Sequence, residues 1–134
     1  MPSRDELVRG LTNQWLDKAG DDLNAAQALF DHGAELWSIV AFHCQQSVEK
    51  FLKAMLTSLQ VEFSKTHDIA VLLDSLEGRD GDFAQELRLA EILTVYGVQV
   101  RYPGDSPEVD REEAEQALNL AKDVATGISA KLGR

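Results

Sequence analysis

The sequence predicts an all-α protein, an antiparallel up-and-down bundle of about five helices, four long and one short. Proline is confined to Pro2, Pro103 and Pro107, so long stretches lack the residue that breaks helices. Apolar residues between these points recur at steps of three or four, not two. The links between the periodic stretches are short, which favours antiparallel neighbours.

The first helix is predicted over about residues 13–32, where Leu16, Ala19, Leu23, Ala26 and Phe30 step along one face. Gly33 ends it. Residues 1–12 are mostly polar and lack periodicity, so they read as a flexible arm preceding one domain over 13–134. The second helix, about 35–59, is the spine of the fold. After "VEFSKTHD" breaks the pattern, Thr66 or Asp68 can cap a short third helix carrying Ile69, Leu72, Leu73 and Leu76, closed by Gly78 and Gly81. A fourth, about 82–100, carries Phe83, Leu87, Ala90, Leu93 and Gly97 before "RYPGDSP" forces a turn. The last, about 110–132, sets Ala114, Ala117, Leu118, Ala121, Val124, Ala125 and Ile128 on one side. Acidic residues crowd its first turns, where the helix dipole favours them.

The 134 residues suit a single domain with a real core. With 13 basic and 23 acidic side chains the net charge is −10, a field that repels polyanions, so any nucleic-acid contact must rest on a local basic site. Cys44 is the single cysteine, which excludes an internal disulfide and fits a reducing compartment. No apolar run reaches membrane-spanning length and "MPSRDELVRG" has no signal core, so a cytoplasmic protein with no membrane contact is expected. The three histidines, His32, His43 and His67, show no metal-ligand spacing, and no phosphate-binding glycine loop or nucleophile signature is present. No metal and no cofactor are expected.

The second helix is unusually polar for a spine. At about 100° per residue, Trp37, Ala41, Cys44, Val48, Phe51, Leu52, Met55 and Leu59 share one apolar face. Gln46, Lys50 and Lys53 lie opposite, together with Ile39 and Phe42, whose presence suggests a second packing face. Gln45 falls on the apolar side between Leu52 and Leu56, with Glu49 close by. Buried amides and carboxylates need partners, and the (i, i+4) pairs Gln45–Glu49 and Glu49–Lys53 supply them. Gln45, Glu49 and Lys53 are therefore expected to form a structural polar network.

"HCQQSVEKFLKAML", followed by "KTHDIAVLL" and "VQVRYPGD", resembles the HEPN domain family from Trp15 to Leu132. The resemblance implies a helical bundle that often dimerises. It also implies a partner, because many bacterial members are encoded beside a minimal nucleotidyltransferase and act with it as a toxin–antitoxin pair, while others are proposed to bind nucleotides. Many members are metal-independent ribonucleases that use an arginine and a histidine separated by four to six residues. Here Arg101 would be that arginine, but Ser106, Pro107 and Glu108 occupy the histidine positions. The nuclease activity is therefore not carried over, and catalysis is left open.

The candidate ligand-binding residues are Gln46, Lys50, Lys53, Lys65, His67, Arg101 and Tyr102. An arginine before a fixed turn can grip phosphate bidentately and a tyrosine can stack on a base; the structural alternative is a helix-end cap, a pair with Asp105 and a packed ring. An imidazole at His67 can act as acid, base or phosphate donor, or simply bond locally. Lys50, Lys53 and Gln46 can form a small cationic patch, although Glu49 equally accounts for Lys53. The leading expectation is a homodimer that binds nucleotide or RNA phosphate and works with a nucleotidyltransferase. The alternatives are a ribonuclease toxin assembled differently, with His67 and Arg101 as the catalytic candidates, and a catalytically inert dimerisation module.

Overall fold

A computed structural model describes residues 1–97 and 108–134. These form six helices and no strand among the described residues: α1 (Arg4–His32), α2 (Trp37–Ser58), α3 (Ile69–Glu77), α4 (Gly81–Glu86), a 3₁₀ helix (Arg88–Gly97) and α5 (Arg111–Leu132). The all-α bundle read from the sequence is the observed fold.

α1 begins at Arg4, nine residues before the expected start, so most of the predicted arm is helical. A capping box starts it: the Ser3 hydroxyl accepts from the Glu6 amide at 3.2 Å and the Glu6 carboxylate accepts from the Ser3 amide at 3.1 Å. These first turns project past the core, with Leu7 and Leu11 exposed. Apolar periodicity reports burial, not helicity, which is why it missed them. Gly33 ends the helix at φ 71°, a left-handed conformation that favours glycine.

α1 and α2 form an antiparallel hairpin. Phe30 meets Trp37 near the turn, Ser47 donates to the Ala19 carbonyl halfway along, and Arg4 donates to Gln60 at the far end. Thr12, Ala19 and Ala26, all fully buried, recur every seven residues, with Leu16, Leu23 and Phe30 partly buried four residues after each. Small side chains on that row let α2 approach closely.

α2 is enclosed by α1, α3, the 3₁₀ helix and α5. It is therefore buried well beyond one face, with Val40, Ser47, Ala54 and Leu56 inside as well as the expected apolar set, of which Trp37 and Leu59 are partly buried. The link after α2 has no regular secondary structure beyond a turn at its start, and it carries the chain back along the helix. His67 consequently returns to the level of Gln45, and α3 runs in the same sense as α2, its far end marked by Arg79 donating to the Leu59 carbonyl. Asp68 caps α3 through the Ala70 amide, and Thr66 accepts from the Asp68 amide.

The expected fourth helix is divided. α4 ends at Glu86, and Arg88–Gly97 continue as a 3₁₀ helix. Ala90, Leu93 and Tyr96 pack on the core at steps of three, a spacing that three residues per turn keeps in a straight row and an α-helix would rotate off the core. The Arg101–Tyr102–Pro103 turn and the end of the predicted helix, to Val100, lie outside the described residues. α5, capped by Asp110 through the Glu113 amide, closes the bundle with Ala114, Ala117, Leu118, Ala121, Val124 and Ile128 buried. Among the described residues no helix is long and apolar enough to cross a membrane.

Candidate functional site

The polar residues of α2 divide into two groups with different partners. Gln45 is fully buried. Its Nε2 donates to the His67 carbonyl at 3.0 Å and to Glu49 Oε1 at 3.3 Å, and its Oε1 accepts from Gln46 Nε2 at 2.6 Å. Glu49 Oε2 accepts from Lys53 Nζ at 3.0 Å, and Glu49 Oε1 lies 2.8 Å from His67 Nδ1. The Lys53 ammonium also lies 5.5 Å from the centre of the Trp15 ring, a cation–π placement that suits a desolvated ammonium. The structure brings Gln45, Glu49 and Lys53 together through these hydrogen bonds, with Gln46, His67 and Trp15 against them.

The burial gradient across this network is steep. The Glu49 and Lys53 side chains are 4% and 8% exposed, whereas His67 is 76% exposed. An ionised carboxylate only accepts, so Nδ1 carries the hydrogen of the His67–Glu49 bond and Nε2 stands on the outer edge of the ring. The ring is held by a buried anchor and offered to solvent.

The second group joins α1 to α2. Asp22 Oδ1 lies 3.0 Å from His43 Nδ1, and its other oxygen accepts from Lys50 Nζ. His43 also meets the Phe42 ring edge-on, with ring centres 5.6 Å apart.

The anticipated cationic patch is thus not assembled: Lys50 turns to Asp22, Lys53 is buried against Glu49 and Trp15, and Gln46 bonds to Gln45. Lys65 and His67 are exposed in the link before α3. Arg101 and Tyr102 lie outside the described residues. Sequence reasoning missed Trp15, Asp22 and Gly97. A helical hairpin centred on Ala34 and Glu35 sets residues at similar distances from that turn near one another, which brings Trp15 opposite Lys53 and Asp22 within a helical turn of Lys50. Gly97 shows its role only in three dimensions, because a Cβ there would lie 2.9 Å from Gln45 Cδ.

Cys44 is fully buried in the core and desolvation pushes its thiol up to about 12, so it packs as a small apolar residue. Among the described residues, no group of three or more His, Cys, Asp or Glu side chains is placed to hold a metal ion.

The chain is thus a helical bundle whose central helix carries a buried polar network with an imidazole anchored at its rim. Residues 12–129 match the HEPN domain model, and the chain belongs to the HEPN domain family. Among solved structures it is similar to TT1696 from Thermus thermophilus, at 29% identity and a TM-score of 0.72, over 90% of this chain and 97% of that one. ST0689, an archaeal HEPN homologue, is 21% identical with a TM-score of 0.68, over 90% of this chain and 96% of that one, a likeness of fold. No curated protein matches the sequence.

Proposed function

We propose that this HEPN protein binds the phosphate of a nucleotide or of an RNA end, as a homodimer that works with a minimal nucleotidyltransferase in a two-component, toxin–antitoxin-like system. The observation that carries the ligand reading is His67: an exposed imidazole whose Nδ1 is fixed by a buried carboxylate at 2.8 Å. With Nδ1 committed to Glu49, a protonated ring donates from Nε2 to a phosphate oxygen. Lys65, exposed two residues earlier, adds positive charge, and Arg101 follows Gly97 by four residues in the sequence. A net charge of −10 opposes long polyanions more than a single nucleotide, which favours a small ligand. The partner enzyme rests on membership of the family.

The test is thermal unfolding with AMP, ATP and a short 5′-phosphorylated RNA. Ligand at a hundredfold excess over Kd adds about 2.7 kcal/mol, a rise that His67→Ala and Arg101→Ala should each abolish. No shift with any of the three ligands refutes the binding reading. Co-expression with a neighbouring nucleotidyltransferase, followed by co-purification, tests the partner.

One observation favours a second reading. The Glu49–His67 pair has the arrangement of a base held by an orienting carboxylate, which suits a metal-independent ribonuclease. RNA cleavage that persists in chelator and disappears in His67→Ala would support it.

A further inference from the structure

The histidines of the chain occupy three different settings. His67 is held at two points: its carbonyl accepts from Gln45 Nε2 at 3.0 Å, and its Nδ1 lies 2.8 Å from Glu49 Oε1. Both partners are buried, and Glu49 is itself fixed by Lys53 through its other oxygen, yet the His67 side chain is 76% exposed. His43 has the same kind of contact, Nδ1 to Asp22 at 3.0 Å, but its side chain is 28% exposed and its ring meets Phe42 edge-on. His32 is exposed in the last turn of α1, and no ion pair or hydrogen bond holds its ring among the described residues. Of the three, His67 alone combines an anchored Nδ1 with an open Nε2.

That combination is what a nitrogen nucleophile needs. With the hydrogen on Nδ1 and donated to Glu49, the neutral ring carries its lone pair on Nε2, on the solvent side. A carboxylate that orients the ring also stabilises the cation formed when Nε2 is substituted. We propose that His67 Nε2 is a phosphoryl acceptor, a modification site charged by phosphoramidate donors, the chemical class to which phosphohistidine itself belongs. Nε2 attacks phosphorus, an N–P bond forms as the donor's P–N bond breaks, and the protonated donor nitrogen leaves as a neutral amine with the electron pair of that bond. The ring hydrogen stays on Nδ1 against Glu49, and nothing is oxidised or reduced. Because one P–N bond replaces another, the transfer is reversible. Lys65, exposed two residues earlier, offsets the negative charge of the donor, and the Asp68 carboxylate is engaged by the Ala70 amide. A phosphoryl group on Nε2 adds roughly two negative charges where the reading above sets the ligand phosphate. The transfer needs the neutral ring alone and does not rest on that reading, but once made it closes the site to nucleotide.

The test incubates the full chain with potassium phosphoramidate at mildly alkaline pH, where an ordinary imidazole is neutral, and follows intact mass, phosphorus NMR and the labelled position by peptide fragmentation. The expected result is one acid-labile, base-stable phosphoryl group on His67, gained roughly tenfold faster than on His32 or His43 and absent in His67→Ala. Glu49→Gln/Lys53→Met removes the anchor without stranding a charge; circular dichroism checks its fold, and its His67 should label no faster than His32. Equal labelling of the three histidines, or an unchanged His67 rate in the folded double variant, overturns the proposal. The nucleotide reading is judged separately. Selective labelling with no nucleotide-induced rise in melting temperature upholds the acceptor and refutes the binding, and a nucleotide shift with unselective labelling does the reverse.

Discussion

Gly97→Ala is the sharpest probe of the network. A methyl group at this position would lie 2.9 Å from Gln45 Cδ, 3.0 Å from Oε1 and 3.1 Å from Nε2, against about 3.5–4.0 Å for relaxed contacts between non-bonded carbons. The amide must therefore retreat by roughly half an ångström. It has nowhere to go, because Gln45 is fully buried and bonded to the His67 carbonyl, Glu49 and Gln46. Overpacking of this kind costs about 1–3 kcal/mol, and loosening one buried hydrogen bond adds about 1 kcal/mol. The better helical propensity of alanine returns up to about 1 kcal/mol, which leaves a net loss of about 2 kcal/mol. The assay is denaturant unfolding of the wild type, Gly97→Ala, Gln45→Ala and the double variant. Gln45→Ala alone should cost about 2–4 kcal/mol, since it opens a cavity and leaves the His67 carbonyl without its donor. In the double variant the new methyl occupies vacated space, so the two costs should fall short of additivity by at least about 1 kcal/mol. A neutral Gly97→Ala, or strict additivity, would refute the claim that glycine is required there by the amide.

Two further predictions use groups whose ionisation is shifted. Since desolvation pushes Cys44 up to about 12, a thiol reagent at mildly alkaline pH should label it at the rate of global unfolding; rapid labelling of native protein would mean that α2 opens locally. At the Asp80–Lys131 pair, 2.9 Å apart, the hydrogen bond to Lys131 is the first cause that lowers the Asp80 carboxyl below 3.8, and the same bond raises Lys131 above 10.5. The Asp80 contribution is present above its unfolded pKa and is lost as pH falls through the lowered value; that of Lys131 is present below 10.5 and is lost as pH rises through the raised one. The urea midpoints of wild type and Lys131→Met should therefore differ most near neutrality and converge toward both extremes, and a gap that persists in acid would discount the ion pair.

What the sequence disclosed depended on whether the information was local. Helical angle alone located the buried face of α2 at Cys44, Val48, Phe51, Leu52 and Met55, and spacing along the same helix located Gln45–Glu49 and Glu49–Lys53. The family was legible too, from several short motifs in a fixed order. Lys53 was placed on the face opposite the core because an angle around one helix says nothing about what covers it. Trp15, supplied by α1 through the hairpin register, is what covers it. His67 reaches Glu49 only because the link after α2 runs back along the helix, a path that no periodicity encodes. The 3₁₀ helix escaped for a related reason: steps of three at Leu87, Ala90 and Leu93 were compatible with an α-helix until packing decided between the two.

A buried ion pair is weak grounds for stability, so the buried polarity of α2 has a measurable consequence. Glu49→Ala would strand the Lys53 ammonium, 8% exposed, with the Trp15 ring as its nearest compensation, and breaking such a pair costs about 3–5 kcal/mol. Replacing the whole group is another matter. In Gln45→Leu/Glu49→Leu/Lys53→Met no charge is left unpaired, and exchanges of this kind are neutral or stabilising by about 1–4 kcal/mol. The triple variant also leaves the His67 carbonyl without its donor, a cost of about 1–3 kcal/mol that offsets this gain, so it should melt near the wild-type temperature while Glu49→Ala melts well below it. Its His67 ring, however, has lost the acceptor that fixes Nδ1, and loss of that orientation should weaken nucleotide binding about tenfold, equivalent to about 1.4 kcal/mol. If the triple variant is stable and binds AMP as tightly as the wild type, the network orients nothing, and its role reduces to fixing the register of α2 against its neighbours. If it is stable and does not bind, the polar residues in this helix are retained for the imidazole they hold at the surface.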